Sequence, residues 1–208
     1  MPFVIGVDFD NTLVSYDSLM HRIAAEQGLI NSSVPTNKRH IRDAIRELPD
    51  GELLWQKVQA LAYGPRINES RLMEGVQSFF QDCRRHEIPV YSVSHKTKFA
   101  SADPGGTNLR EAALGWMERN GFFDPDVLGV AREDVYFEAT RKQKIMRIVS
   151  VGCTHFIDDL AETFLEDGFS AEIKKLLFDP HGHQSAPPGI PILRDWKEIG
   201  RYFFAKPK

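Results

Sequence analysis

Cysteine is scarce in this sequence: Cys83 and Cys153 are the two in 208 residues. They stand far apart and lack the paired spacing of a metal site, so a disulfide framework and a cysteine-bound metal are both unexpected. Two reduced core thiols are the expectation. There is no long apolar run, and the opening Met1-Pro2-Phe3-Val4-Ile5 carries no basic stretch before an acidic segment. A secretory leader and a membrane span are therefore not expected, and a cytoplasmic location is. Charge of one sign is not in excess either. A net charge of −3 and a pI of about 6.2 give no electrostatic case for nucleic acid or an anionic membrane as partner. No repeat or low-complexity tract is present, and the Pro/Gly-rich stretch from Gln184 to Pro191 has the length of a loop. What is left is 42% hydrophobic and 26% charged, the composition of an ordinary globular chain. Its length suits one domain with an insertion or a small lid.

Short apolar runs recur along the chain. Phe3–Phe9 is rich in β-branched residues and stops at polar ones, which predicts a buried strand. Ile88–Val93 is a second run, Asp134–Phe137 a weaker third, and Thr154–Ile157, Leu176–Phe178 and Ile190–Leu193 supply three more. Helical patterns lie between several of them. Leu109, Ala112, Ala113, Trp116 and Met117 form one stripe, opened by a capping box of Asn108 and Glu111 and closed near Gly121. Ile145, Ile148 and Val149 mark another, capped by Thr140 and Gln143. Strands alternating with helices predict an α/β fold, Rossmann-like and three-layered, with a mostly parallel sheet.

One region breaks the alternation. About 75 residues separate the first two strands, too many for one crossover helix. That stretch holds an Ile41, Ala44, Ile45, Leu48 stripe and a second one from Leu54, Val58 and Leu61, with turns at Pro35, Pro49-Asp50-Gly51 and Gly64-Pro65. Residues 15–71 therefore read as a small helical cap inserted after the first strand, and 1–14 with 72–208 as the α/β core. The helix of Val76, Phe79, Phe80 and Cys83 returns the chain to that core.

Asp8-Phe9-Asp10-Asn11-Thr12 follows the first strand directly. In an open parallel sheet ligands bind beyond the carboxyl ends of the strands. Two carboxylates there suit a hard cation such as Mg²⁺. A carboxylate with an ordinary pKa of about 3.9 is also ionised at neutral pH and needs no base to act as a nucleophile. A second carboxyl can protonate a leaving oxygen and later deprotonate a water. A solvated acidic turn is the plain competing reading of this stretch alone. Phe156-Ile157-Asp158-Asp159 places a second acidic pair at the end of another apolar run. Such charges repel by about 1 to 4 kcal/mol at ~4 Å unless a cation lies between them. Helix capping explains one of the two, but not readily both. Val90-Tyr91-Ser92-Val93-Ser94 ends a strand in a hydroxyl, and Lys142 and Lys144 sit in the first turn of the helix leading to Asp158. Each of these is weak alone, as a turn residue and as solvated lysines.

The order Asp-x-Asp-x-Thr, strand-end Ser, helix-start Lys, strand-end Asp-Asp resembles the haloacid dehalogenase-like hydrolase superfamily, most of whose members are phosphatases. The resemblance spans Asp8 to the closing Leu193–Trp196–Ile199 segment. It implies Asp8 as the nucleophile that takes the phosphoryl group and Asp10 as the acid–base residue with its carbonyl on Mg²⁺. It also implies Ser94 on a phosphoryl oxygen, Thr12 bracing the loop, and a lysine offsetting charge. Asp8, Asp10, Asp159 and Asp158 would hold the metal, Asp159 preferred because it aligns with the aspartate of the commoner Gly-Asp form. On a helical wheel centred between Ile145 and Met146, at about 100° per residue, Lys142 falls nearer the buried face than Lys144. Lys142 is therefore the expected catalytic lysine and Lys144 a substrate-binding one. Family members that cleave carbon–halogen bonds lack an acid at the position of Asp10, so its presence favours a phosphatase. A cap at this insertion point is expected over the strand ends, with a small phosphorylated metabolite, a sugar or other polyol phosphate first, as substrate.

Other readings stay weaker. A receiver-type phosphoacceptor gathers similar residues but places its accepting Asp after a middle strand, and none ends that way here. A catalytically silent binding module is disfavoured by the intact Asp8 and Asp10. His181-Gly182-His183 after Asp179 reads as a loop before it reads as a metal site. Lys96 and Lys98, just past Ser94, read equally as solvated or as contacts to an anionic substrate, and neither is assigned. The Phe99–Gly106 stretch has no family counterpart.

Overall fold

The alternating runs become strands and helices in the computed structural model, described for residues 3–103 and 105–205. Met1 and Pro2, part of the N-terminal reading above, Pro104 of the unassigned stretch and the last three residues of the expected core lie outside these. The chain forms β1 (Ile5–Val7), β2 (Val14–Ser15), α1 (Asp17–Glu26), α2 (Lys38–Arg46), α3 (Gly51–Tyr63) and β3 (Arg71–Leu72). There follow α4 (Val76–Arg85), β4 (Val90–His95), α5 (Leu109–Arg119), β5 (Val135–Glu138) and α6 (Arg141–Ser150). The last elements are β6 (His155–Asp158), β7 (Lys174–Phe178), β8 (Ile192–Leu193) and α7 (Trp196–Phe204). Each of the six expected strands is present, with ends shifted by up to about two residues. No helix of the described residues is long and apolar enough to cross a membrane.

Six strands form one sheet in the order β5-β4-β1-β6-β7-β8, and every pairing in it is parallel. Neighbouring residues on a strand face opposite sides, and here each side has its own cover. Val93, Phe156 and Leu177 pack with Ile148 of α6 and with Phe164 on one face. On the other, Phe178 meets Trp196 at 5.9 Å between ring centroids, His155 meets Phe203 at 5.0 Å, and Trp196 meets Phe79 of α4 at 5.1 Å. Helices on both faces make the three layers expected of a Rossmann-like sheet. Each fully buried aromatic or aliphatic side chain contributes on the order of 1.5–3 kcal/mol. β1 needs glycine at position 6: a Cβ there would lie 2.6 Å from Phe156 Cδ2 and 2.8 Å from Cys153 Sγ. Cys83 and Cys153 are free and buried, and burial pushes both thiols up to about 12.

The chain divides into two compact units: Met1–Leu13, Leu72–Lys96 and Glu118–Lys208 form one, Val14–Arg71 and Thr97–Met117 the other. Thr97–Met117 differs from the sequence reading, which kept everything past residue 72 in the core. Its apolar stripe is buried among the helices instead: a Cβ on Gly64 would touch Leu109 and Thr107, and Leu109 N–H donates to the Lys98 carbonyl at 2.8 Å. In the unassigned stretch the Asp103 carboxylate accepts from the N–H groups of Gly105 and Thr107. Within the same unit Asn37 caps α2 by accepting from Arg39 N–H at 2.9 Å, and Ile41, Ile45, Trp55 and Val58 are buried.

Candidate active site

Register brings the chemistry to one edge. Val7, the last residue of β1, pairs with Ser92 of β4 on one side and Ile157 of β6 on the other. Asp8 follows Val7, Asp158 follows Ile157, and Ser94 stands two residues beyond Ser92, so all three emerge at the carboxyl edge. The chain turns from one half of the sheet to the other at β1, the switch point where open α/β sheets bind ligands. Asp8 N–H still donates to the Ile157 carbonyl at 2.9 Å, which holds its backbone in the ladder. The chain then turns through Asn11 at φ 58°, a left-handed conformation that asparagine tolerates better than most residues.

Thr140 caps α6, its hydroxyl accepting from Gln143 N–H at 3.2 Å, and the helix delivers Lys144 between two carboxylates. The Lys144 ammonium donates to Asp8 Oδ1 at 2.5 Å and to Asp158 Oδ2 at 2.6 Å, with all three side chains no more than 7% exposed. Burial pushes the Asp8 carboxyl up to about 7; Lys144 opposes the rise, while the charges of Asp158 and Asp10 add to it. Burial also works against the charged form of Lys144, but Asp158 and Asp8 outweigh it and hold the ammonium above the usual lysine range. Carboxylate oxygens of Asp8, Asp158 and Asp159 all lie within 4.8 Å of one another. Three hard oxygen donors at that spacing fit Mg²⁺.

Lys142 is exposed, which corrects the wheel. Its centre assumed a buried Met146, yet Met146 is 62% and Val149 43% exposed. The buried residues of α6 are Lys144, Ile145 and Ile148. Their mean direction lies about 115° from Lys142 and about 45° from Lys144 at 100° per residue.

Sequence reasoning left Lys96 unassigned, and it belongs to the site. Its ammonium lies 2.8 Å from Asp10 Oδ2 and 3.0 Å from Oδ1, and its side chain is 2% exposed against 19% for Asp10. The signal was the period of a strand: β4 runs on to His95, so Ser92, Ser94 and Lys96 alternate to the same side. All three are buried. Of Asp8, Asp10, Asp158, Asp159, Lys96 and Lys144, four are acids and two are bases. Ionised, these six side chains sum to −2, the charge one divalent cation neutralises.

Ser94 is 1% exposed. Thr12 is fully buried; its carbonyl accepts from Trp196 Nε1 at 3.1 Å, while its hydroxyl finds no hydrogen-bond partner among the described residues. The segment after β6 is a 3-10 helix over Ala161–Leu165. Asp158 Oδ1 accepts from Leu160 N–H at 2.9 Å, an Asx turn that leaves the other oxygen to Lys144. His181-Gly182-His183 is a loop wound on Asp179, whose carboxylate takes the N–H groups of Gly182, His183 and Gln184. Gln184 in turn donates to the Asp159 carbonyl at 2.6 Å and accepts from Ala161 N–H, a tie across the Asp158-Asp159 turn that no sequence motif announces.

No known family model matches the sequence, and no curated protein does. Solved structures do resemble the fold. A HAD-hydrolase from Bacillus subtilis bound to magnesium shares 13% identity at a TM-score of 0.56, covering 99% of both chains. A HAD family hydrolase from Deinococcus radiodurans with bound phosphate and sodium shares 14% at 0.54, covering 97% of this chain and 95% of that one. A protein described as a dehalogenase shares 12% at 0.57, covering 99% and 98%. At such identities the likeness is one of fold: the chain carries the α/β fold of the haloacid dehalogenase-like hydrolases.

Proposed function

We propose that the chain is a Mg²⁺-dependent phosphomonoester hydrolase that works through an aspartyl-phosphate on Asp8. The observation that carries this is the buried convergence of Asp8, Lys144 and Asp158 at the end of β1, with Asp10 two residues beyond the nucleophile. Asp8, Asp158 and Asp159 would hold the ion through carboxylate oxygens, and the Asp10 carbonyl would join them. A divalent cation bound there supplies positive charge opposite the phosphoryl oxygens and the nucleophile.

The steps belong to side chains. An Asp8 oxygen attacks phosphorus as the ester P–O bond breaks, and Asp10 gives its proton to the leaving oxygen. Asp10, now a carboxylate, takes a proton from a water that attacks the phosphoryl-aspartate. The P–O bond to Asp8 breaks, inorganic phosphate leaves, and both residues return to their starting states. Lys144 offsets the charge that gathers between Asp8 and the phosphoryl group, and Ser94 holds one of its oxygens; both act by electrostatic positioning. Halide needs no proton to leave, whereas an alkoxide does, so Asp10 favours phosphate esters over carbon–halogen bonds.

The helical insertion enters the chain directly after the Asp8 loop. Its size and that connection favour a small phosphorylated metabolite, with a polyol phosphate first, over a macromolecule. A panel of phosphomonoesters with Mg²⁺ or with EDTA tests the activity. Turnover that requires Mg²⁺ is the expected result, and no turnover of any ester under either condition refutes the reading.

A further inference from the structure

Resting on that phosphohydrolase reading, we propose that Lys96 is a positioning residue that holds the Asp10 carboxyl group where it exchanges a proton with the leaving oxygen and the attacking water. The ammonium straddles both Asp10 oxygens, at 2.8 and 3.0 Å. Its own base is fixed: Lys96 N–H donates to the Glu138 carbonyl of β5 at 2.9 Å. The same ammonium lies 5.4 Å from the centroid of the Phe9 ring, which packs edge-on against Phe137 at 5.8 Å. Lys96 is thus an anchored cation on the rigid end of a central strand.

Asp10 is the opposite case. It lies past the end of β1, beside Asn11 in its left-handed turn, and its side chain is partly exposed. A carboxylate so placed has rotamer freedom to lose, and an acid displaced by about 1 Å can lose a hundredfold in rate. Taking an ammonium out of water is costly and is offset only by close partners. Lys96 meets that cost at Asp10, while Lys144 serves Asp8 and Asp158. The two lysines divide the acids between nucleophile and proton donor.

Full-length Lys96→Met and Lys96→Arg, with wild type and Asp10→Asn, are assayed with Mg²⁺ on p-nitrophenyl phosphate and on glycerol phosphate. Nitrophenolate leaves without a proton, while an alkoxide requires one, so a misplaced acid lowers the alkyl-to-aryl ratio of kcat. Lys96→Met is expected to lower that ratio about 10- to 100-fold, within the range general acid catalysis supplies. KM should move less than kcat, Lys96→Arg should restore part of the ratio, and Asp10→Asn should lower it at least as far. Equal losses on the two esters, the mark of a merely structural ion pair, overturn the proposal. If Lys96→Met does not fold, Lys96→Gln and Lys96→Arg are read by the same ratio. If wild type cleaves neither these two esters nor any other of the phosphomonoester panel, the phosphohydrolase reading fails by itself. Crystal structures of wild type and Lys96→Gln then decide the positioning role: an Asp10 carboxylate displaced by about 1 Å supports it, and an unmoved one overturns it.

Discussion

Replacing Lys144 with methionine keeps the length of the side chain and removes the charge, leaving Asp8 and Asp158 buried side by side. Breaking a buried ion pair by deleting one partner costs about 3–5 kcal/mol. Lys144 and both its partners are at most 7% exposed, so little solvent is available to soften the loss. For a chain of this size about 1 kcal/mol shifts the melting temperature by about 2–4 °C. Lys144→Met should therefore melt about 6–20 °C below wild type at pH 8 in EDTA. The pH dependence has a definite sign. The folded Asp8 carboxyl titrates at about 7, well above the about 3.9 of an unfolded chain. Such a group favours the folded state while it is protonated, and that contribution is lost as pH rises from about 4 to about 7. Lys144 is the influence that holds the value down, so without it the loss continues above 7. The deficit of Lys144→Met against wild type should grow between pH 6 and pH 8. Urea and thermal unfolding at both pH values, with the exposed Lys142→Met as control, measure it. A deficit under about 1 kcal/mol at pH 8, or one no larger than that of Lys142→Met, contradicts the buried triad; exposed changes usually stay within about 0.5 kcal/mol.

Asp8→Asn should abolish turnover without lowering the melting temperature in EDTA at pH 8, because it removes a carboxyl that burial disfavours; residual activity above a few per cent of wild type, about the level a minor role would leave, removes Asp8 as nucleophile. Mg²⁺ should raise the melting temperature more at pH 8 than at pH 6, since a cation competes with the proton on Asp8, and Asp158→Asn or Asp159→Asn should shrink that shift. A shift independent of pH and of both substitutions places the ion elsewhere. Small polyol phosphates should show higher kcat/KM than phosphopeptides or oligonucleotide 5′-phosphates, and the reverse ranking removes the insertion as a device for excluding macromolecules.

Much of the fold was readable from local pattern. Short apolar runs bounded by polar residues become strands because burial on both faces of a parallel sheet requires them. All six are present, from Ile5–Val7 to Ile192–Leu193. The site edge was readable for the same reason: strands that run parallel end on one edge, so Asp8, Ser94 and Asp158 emerge there together. Tertiary packing decided the lysines. Whether Lys142 or Lys144 points inward depends on where α6 rolls onto the sheet, and that turned on Met146, apolar yet 62% exposed. Lys96 read equally as solvated or as a contact to an anionic substrate, and it became a buried partner of Asp10 because β4 continues past Ser94 far enough to carry it inward. Thr97–Met117 has a helical stripe that any apolar surface would accept, and its grouping with the helical unit rests on contacts distant in sequence. Sequence by itself determined where the six strands of the parallel sheet lie and which acids share an edge, since both follow from periodicity and chain direction. Only the tertiary structure decided which cations enter the low-dielectric interior, because an ammonium is buried only where folding brings carboxylates to meet it.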